Sequence, residues 1–145
     1  MEEWFEYEYA FNVRFRDTDA YAVVHHSNYF CYFEEARYSF AREMLKSYED
    51  ISDFNNMKFP VIEASCRYIK ALSYQANDYY IYLKFRMMNI SKFEFIYEIR
   101  SRKKSGVFAA GRTVHVMLNE NNKLCLTIPK RIADKLKAMN ELQNK

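Results

Sequence analysis

The residues best suited to chemistry in this sequence are concentrated in one stretch, residues 17–29. It contains two carboxylates, Asp17 and Asp19, and two of the three histidines of the chain, His25 and His26. A carboxylate can attack a carbonyl carbon directly or can activate a water molecule for that attack. The stretch lies between a strand pattern and a helix pattern, so it is either a reactive loop or only a connection between the two elements.

A reaction of this kind also needs a donor that stabilises the negative charge on the carbonyl oxygen. The helix pattern begins near Ser27 or Asn28, either of which is a suitable N-cap. The first N–H groups of a helix have no intrahelical acceptor and lie at the positive end of its dipole, so they can polarise an acyl carbonyl. From residue types alone, the ordinary alternative stays open: Asp17 and Asp19 stabilise a turn through bonds to backbone N–H groups.

Other candidates for chemistry are weaker. His25 and His26 are adjacent, which is a poor arrangement for holding one metal ion, and His115 lies far along the chain, so we predict no metal site. Glu34 and Glu35 fall early in the helix, where acids usually match the helix dipole at the surface. One of them would be the fallback acid if Asp19 were not the reactive group.

The three cysteines, Cys31, Cys66 and Cys125, are odd in number and widely spaced, which indicates reduced thiols and not a disulfide framework. We expect Cys31, next to the reactive stretch, to be a buried structural thiol, because free cysteines are usually buried and inert.

The length of 145 residues predicts a single domain spanning 1–145 with its own core. The net charge of +3 is too small to indicate nucleic acid as a partner. There is no apolar run of the ~18 residues that a membrane-spanning helix requires, and the acidic N-terminus lacks a signal segment. We therefore expect a cytoplasmic protein without a membrane span.

The elements around the stretch follow from hydrophobic periodicity. Alternation predicts a half-buried strand over 5–16, and a helical stripe of Tyr29, Phe33, Ala36, Phe40 and Met44 predicts a helix from about 28 to about 46. Further alternation predicts strands over 62–68, 79–87, 93–99 and 107–118, with a possible short edge strand over 124–126. Residues 47–60 are polar and irregular, and a C-terminal amphipathic helix covers 132–142.

This order of elements predicts an α+β fold, an antiparallel sheet curved around one long helix. Residues 103–106 signal a hairpin, and Gly111 marks a bulge or a close approach of the backbone. Aromatic residues make up 18% of the chain, which is more aromatic surface than a single thin sheet and one helix can bury. We therefore expect association through the sheet edge or the far side of the helix.

A basic cluster lies where the fourth predicted strand enters its hairpin. The ordinary interpretation of this cluster is a solvated turn, and the functional interpretation is a binding site for a phosphorylated ligand. Its members are Arg100, Arg102, Lys103 and Lys104.

The sequence resembles the hotdog-fold acyl-CoA thioesterases, in particular the branch of 4-hydroxybenzoyl-CoA thioesterase and the YbgC-like proteins. The resemblance covers nearly the whole chain and is most specific in the Asp-Thr-Asp loop and the His-Ser-Asn-Tyr helix entry. The segments that carry it are residues 13–20, 23–29, 33–37, 67–71, 95–99 and 110–116.

The resemblance implies hydrolysis of acyl- or aroyl-CoA without a metal or redox cofactor. Asp19 matches the catalytic carboxylate of the family, acting as nucleophile or as general base, and the backbone N–H of His26 is the expected donor to the thioester carbonyl. Subunits of the family pair so that their sheets run together, often as tetramers, with active sites between subunits. The basic cluster is the candidate seat for the coenzyme A phosphates. Further substrate contacts are expected from Tyr21, Ala22, Val23, His25, Asn28 and Tyr29.

One position departs from the family pattern, since Ala22 stands where the family usually has glycine. If that position requires a positive φ, alanine costs about 1 kcal/mol or more. Two alternatives to an acyl-CoA thioesterase therefore stay open. The first is a thioesterase acting on acyl groups held by an acyl carrier protein, which the basic cluster would also suit. The second, which Ala22 favours, is a non-catalytic hotdog domain that binds acyl-CoA or another protein.

Overall fold

Five strands and two α-helices make up the regular structure of the computed structural model, which describes residues 3–45, 57–74, 78–128 and 130–143. The strands form one sheet in the order β1-β3-β4-β5-β2, with every neighbouring pair antiparallel. The predicted antiparallel sheet and long helix are confirmed. The bounds are β1 Phe5–Phe11, α1 Tyr29–Leu45, β2 Val61–Tyr68, β3 Tyr79–Met87, β4 Lys92–Ser101, β5 Val107–Val116 and α2 Lys130–Gln143.

The core lies between α1 and one face of the sheet. Alternate residues of β3 point inward from Tyr79 to Met87 and are buried, so the period-two pattern of the sequence reports this face directly. Helix α1 supplies the opposite wall. The buried residues of its stripe are Tyr29, Tyr32, Phe33, Ala36 and Phe40.

Helix α1 packs tightly against the sheet at Gly111 in β5. An added Cβ there would lie 2.4 Å from Cε2 of Phe33, so only glycine leaves room for that ring. Phe33 also stacks on Tyr97 of β4 with ring centroids 4.3 Å apart. The predicted close approach at Gly111 is therefore confirmed, and the register is regular there, with Gly111 paired to Cys66 and Tyr97.

The first strand is shorter than predicted, ending at Phe11 and not at residue 16. A 3-10 turn follows at Phe15–Asp17, with Asp17 N donating to Arg14 O at 2.9 Å and Thr18 N to Phe15 O at 3.0 Å. Phe15, placed by the alternation on the buried face, is 74% exposed. The residue types alternate as far as residue 16, but the turn bonds end the strand earlier. The sequence pattern alone therefore overestimated the length of β1.

Strand β2 has the predicted bounds within one residue but not the predicted half-buried character. It pairs only with β5 and forms one edge of the sheet, and all of its residues except Cys66 are exposed. The possible strand over 124–126 is reduced to a single bridge between Leu124 and Leu118. Most of the polar segment 47–60 lies outside the described residues.

The remaining predictions on the elements are confirmed within a few residues. The hairpin between β4 and β5 turns through Gly106, whose φ of 94° favours glycine. The C-terminal helix, α2, buries Ile132 against the core. No helix in the described ranges has the length and apolar character needed to cross a bilayer.

We predict that Gly111→Ala lowers the free energy of unfolding by about 1–3 kcal/mol, because the new methyl group overlaps the ring of Phe33. Urea denaturation measures this change. In a Phe33→Leu background, where the ring is absent, the same substitution should cost clearly less. An equal cost in both backgrounds would show that Phe33 is not the constraint.

Candidate active site

The candidate reactive stretch folds as a small hairpin whose two arms are joined by hydrogen bonds. His25 N donates to Asp17 O at 2.9 Å, Thr18 and Val24 form a bridge, and Asp19 N donates to Val23 O at 2.9 Å. Residues 20–22 make the reversal. The returning arm is held to the rest of the protein by Val24 N, which donates to the carbonyl of Leu72 at 2.9 Å.

Asp19 lies at the end of the outgoing arm and is half-buried. One carboxylate oxygen, Oδ1, accepts a hydrogen bond from Tyr21 N at 2.8 Å, and the Asp19 carbonyl accepts one from Ala22 N at 3.0 Å. Among the described residues, no hydrogen bond or ion pair reaches Oδ2. The side chain is therefore oriented by the turn but retains an oxygen that is free to act on a ligand.

The helix entry begins with a 3-10 turn at His26–Asn28 that leads directly into α1. Its cap is His25, whose Nδ1 accepts from Ser27 N at 3.3 Å and lies 2.8 Å from Ser27 Oγ. His25 is the cap of this 3-10 turn, and Asn28, one of the two residues predicted as N-cap, directly precedes α1. Within the described chain, the backbone N–H of His26 donates to no acceptor.

Asp17 has a different environment from Asp19. Its Oδ2 accepts hydrogen bonds from Arg14 Nε at 3.1 Å and from the buried hydroxyl of Tyr32 at 2.8 Å. Burial and the bond to this carboxylate raise the pKa of Tyr32, which keeps the hydroxyl protonated as a donor. The Asp17 carbonyl also accepts from Asn28 Nδ2 at 2.9 Å. Asp17 thus links the hairpin to the start of α1.

The two helix glutamates do not share the freedom of Asp19. Glu35 accepts from Arg14 Nη2 at 2.5 Å and, more weakly, from the Tyr9 hydroxyl at 3.4 Å. Glu34 is exposed and lies 3.8 Å from the guanidinium of Arg37. Neither carboxylate lies on the hairpin that carries Asp19, so Asp19 remains the candidate acid.

Sequence reasoning missed Tyr68, the last residue of β2. Its hydroxyl donates to the carbonyl of His26 at 3.0 Å, and its ring packs edge-on against Tyr29 at 4.7 Å. This contact fixes the helix entry to the edge strand. Its signal in the sequence was only that Tyr68 ends a strand pattern within the resemblance to the family.

The expected substrate contacts have different positions around the hairpin. Tyr21 is at the tip and 85% exposed, and Ala22 beside it has a φ of 63°. Val23 is half-buried and bridges to Ser73. His25 and Asn28 act in the capping and linking bonds described above, and Tyr29 is buried. Tyr21, Ala22 and Val23 are thus the ones closest in the chain to Asp19.

The basic cluster divides into paired and unpaired side chains. Arg100 pairs with Glu98 at 3.1 Å, and Arg102 pairs with Glu8 at 2.8 Å. Lys103 and Lys104 have no carboxylate partner among the described residues. The strand registers place their hairpin at the same end of the sheet as the end of β1, which leads to the Asp19 loop. Lys70 Nζ donates to Ser105 O of this hairpin at 3.2 Å.

Two further expectations concern metal ligands and thiols. The described residues contain no group of three or more His, Cys, Asp or Glu side chains placed to hold a metal ion. The rings of His25 and His26 are in contact, with centroids 4.2 Å apart and planes tilted by 33°. The prediction that Cys31 is buried was wrong: it is exposed, because it lies on the side of α1 away from the buried stripe.

The antiparallel sheet with its long central helix is the hotdog fold. The family model of the thioesterase-like superfamily matches residues 13–136, and the chain belongs to this superfamily. The expected fold and family are thereby confirmed, and membership of the thioester-hydrolase class of enzymes is confirmed at the level of the family.

Individual relatives agree with this assignment. A protein of Aquifex aeolicus (strain VF5) described as "Putative esterase" is 35% identical over 129 residues, which are 89% of this chain and 96% of that protein. The structure of a hypothetical protein from Aquifex aeolicus is 32% identical, with a TM-score of 0.67 over 91% of this chain and 98% of that one. A 1,4-dihydroxy-2-naphthoyl-CoA thioesterase from Synechocystis is 20% identical, with a TM-score of 0.72 over 95% and 98%, and shows the shared fold.

We predict that Ala22→Gly raises the free energy of unfolding by about 1 kcal/mol, because glycine adopts the observed positive φ without steric cost. Urea denaturation again provides the measurement. Ala20→Gly is the matched control in the same turn, since its φ is not positive. Ala20→Gly should lower the free energy of unfolding slightly. If Ala22→Gly lowered the free energy of unfolding by the same amount, the backbone strain assigned to Ala22 would be contradicted.

Proposed function

We propose that this protein hydrolyses the thioester of an acyl- or aroyl-CoA to the free acid and coenzyme A. The observation that carries the proposal is that one short segment supplies two complementary groups: Asp19 on the hairpin and the backbone N–H of His26 directly after its returning arm. Among the described residues, Asp19 Oδ2 has no hydrogen-bond partner and His26 N–H has no acceptor. A thioester carbonyl held between the two would face a base or nucleophile on one side and a hydrogen-bond donor on the other.

In the proposed reaction the carbonyl oxygen accepts a hydrogen bond from His26 N–H as negative charge develops on it. Asp19 acts in one of two ways. As a base, it takes a proton from a water molecule whose oxygen attacks the carbonyl carbon. As a nucleophile, it forms a mixed anhydride that water then cleaves. In both cases the carbon–sulfur bond breaks and the sulfur leaves as coenzyme A thiolate, which is then protonated. The chemistry we propose requires no metal or redox cofactor.

The basic end of the sheet supports coenzyme A as the carrier of the acyl group. Within the described part of the chain, the side chains of Lys103 and Lys104 have no carboxylate partner. They lie at the same end of the sheet as Asp19, which suits them to bind the phosphates. Arg100 and Arg102 are already paired and would contribute less.

The name of the Synechocystis relative, a 1,4-dihydroxy-2-naphthoyl-CoA thioesterase, favours an aroyl group as one class of substrate. All three cysteines are free thiols, which is typical of a protein in the cytoplasm.

We also propose that the active protein is a homo-oligomer, a dimer or a tetramer, paired through the β2 edge. A strand with exposed faces and an unpaired edge is a template for a second strand. Val61 and Ile62 leave apolar surface exposed on this edge. Because Tyr68 joins β2 to the carbonyl of His26, a partner at this edge would lie beside the helix entry.

The observed turn weakens the case for a non-catalytic domain. Ala22 adopts the positive φ, and the hydrogen bonds that orient Asp19 are formed around it. Alanine at this position therefore affects the energy of the loop and leaves the carboxylate in place. A carrier-protein substrate is distinguished by comparing hydrolysis of one acyl group on coenzyme A, on pantetheine and on acyl carrier protein.

We predict that Asp19→Asn lowers kcat for acyl-CoA hydrolysis at least about a hundredfold, as removal of a general base or nucleophile does. The amide retains an oxygen that can accept from Tyr21 N, so the fold should persist. Release of free thiol from a panel of aliphatic and aromatic acyl-CoAs measures the rate. The matched control, Asp134→Asn on the exposed side of α2, should leave it unchanged. Full activity of Asp19→Asn would refute the assignment of Asp19.

We predict that Ile62→Lys converts the oligomer to a monomer, since it places a charge on the edge proposed to pair. Light scattering coupled to size-exclusion chromatography measures the molecular mass. Ile90→Lys, in the turn between β3 and β4, is the matched control because Ile62 and Ile90 are 46% and 45% exposed. An unchanged mass for Ile62→Lys would place the interface elsewhere.

A further inference from the structure

A cavity of about 300 Å³ lies on the opposite half of the core from the Asp19 loop. Its walls are the second half of α1, the inner faces of β3, β4 and β5, and the start of α2. This volume falls at the lower end of the range for small-molecule sites. The apolar lining includes Phe40, Met44, Met87, Phe93, Met117 and Ile132.

Packed side chains lie between this cavity and the candidate active site. Phe33 and Tyr97 are fully buried and stacked, and Gly111 leaves no gap beside the Phe33 ring. Along α1, Phe33 follows Tyr29 at the helix entry and precedes Arg37 at the cavity. The cavity is therefore a second feature of the chain and not an extension of the Asp19 site.

A chain of hydrogen bonds runs along the sheet side of the cavity, from Arg37 to the backbone carbonyl of Phe59. Arg37 Nη1 can only donate, to Tyr97 OH at 3.1 Å, and the carbonyl of Phe59 can only accept, from His115 Nδ1 at 3.0 Å. Between them Tyr97 OH donates to Thr113 Oγ1 at 2.6 Å, which donates to His115 Nε2 at 2.9 Å.

This direction corresponds to a neutral His115, in which Nδ1 carries the proton and Nε2 accepts a bond. Burial lowers the pKa of His115, in agreement with the neutral form. Tyr97, Thr113 and His115 are not acidic groups at neutral pH, so the chain of hydrogen bonds supplies no negative charge to the cavity. Arg37 is the one charged side chain among the described residues that line it.

Arg37 is poorly compensated for a largely buried cation. Its side chain is 13% exposed, and its carboxylate partner, Glu34, is 3.8 Å away and more than half exposed. The bond to Tyr97 uses one of the five N–H donors of the guanidinium. An anion entering the cavity would find unsatisfied donors at a site with reduced solvent screening.

We propose that this cavity binds a monocarboxylic acid with an apolar body, its carboxylate paired with Arg37 and its body packed among the phenylalanine and methionine side chains. Burial of the apolar body supplies the driving force, and the guanidinium selects the acid over neutral molecules of the same shape. Tyr38 and Phe59 line the cavity and are exposed at the surface, where they mark its mouth.

The first test uses the methionines of the cavity as reporters. The methyl groups of Met44, Met87 and Met117 are observed by NMR in protein labelled with ¹³C-methyl methionine, during titration with decanoate below its micelle concentration. These three signals should shift together, while that of Met88, which follows the end of β3 and is exposed, should not. Binding confined to the Asp19 loop would leave all of these signals unmoved and would overturn the proposal.

The second test isolates the charge. Decanoate should bind about tenfold or more tightly than decanol, the value expected for hydrogen bonds to a charged group. Arg37→Gln should remove this preference while leaving decanol binding unchanged. Equal affinities for decanoate and decanol in the unaltered protein would refute the role of Arg37.

A third variant does not depend on Arg37 and keeps the proposal testable if Arg37→Gln fails to fold. Ala41→Leu adds a larger side chain to the cavity wall and should abolish the shifts of the three methionines. Ala138→Leu makes the same change at an exposed position of α2 and should leave them intact. Retained binding in Ala41→Leu would show that the ligand lies elsewhere.

Discussion

The contact between Phe33 and Gly111 sets the distance between helix and sheet, and the rest of the structure depends on it. A ring lies against bare backbone on one side and stacks on Tyr97 on the other, so α1 has no freedom to rise or slide at this point. The contact divides the interior in two. On one side the helix begins beneath the Asp19 hairpin, and on the other the helix and sheet enclose the apolar cavity.

Polar contacts hold the Asp19 hairpin in position, whereas apolar contacts hold the helix against the sheet in the core. Asp17 accepts from Arg14 and Tyr32, and its backbone carbonyl accepts from His25 and Asn28. A partly buried carboxylate is tolerated because its partners satisfy it, and removing one partner would leave a desolvated group. Asp17 thereby fixes the loop to the helix. Asp19, two residues later, has Oδ2 without a hydrogen-bond partner among the described residues.

The elements with one buried face were the ones that the sequence predicted well. The bounds of β3 match the prediction because its inner residues are all apolar, and the helical stripe of α1 corresponds to its buried face. The predictions were wrong at positions where the tertiary structure does not follow the local sequence pattern. The alternation ran on to Phe15 although turn bonds end the strand earlier, and the general tendency of cysteines to be buried outweighed the position of Cys31 beside the stripe.

Contacts between distant parts of the chain could not be predicted from spacing. Tyr68 reaches His26 across 42 residues, and Arg37 reaches Tyr97 across 60. Each depends on how the helix is seated on the sheet, which the sequence signals only through Gly111. The two carboxylates of the loop were distinguished by resemblance to the family, whereas the structure distinguishes their environments by the hydrogen bonds that each one accepts.

Ala22 shows how a departure from a family pattern can be tolerated at a functional loop. The chain reverses between Asp19 and Val23 in three residues. The left-handed conformation at Ala22 directs the chain back, so that the Val23 carbonyl accepts from Asp19 N. The methyl group of Ala22 is exposed, so alanine raises the energy of the closed turn without displacing its neighbours. The substitution therefore lowers the stability of the turn and preserves the orientation of the carboxylate that the turn presents.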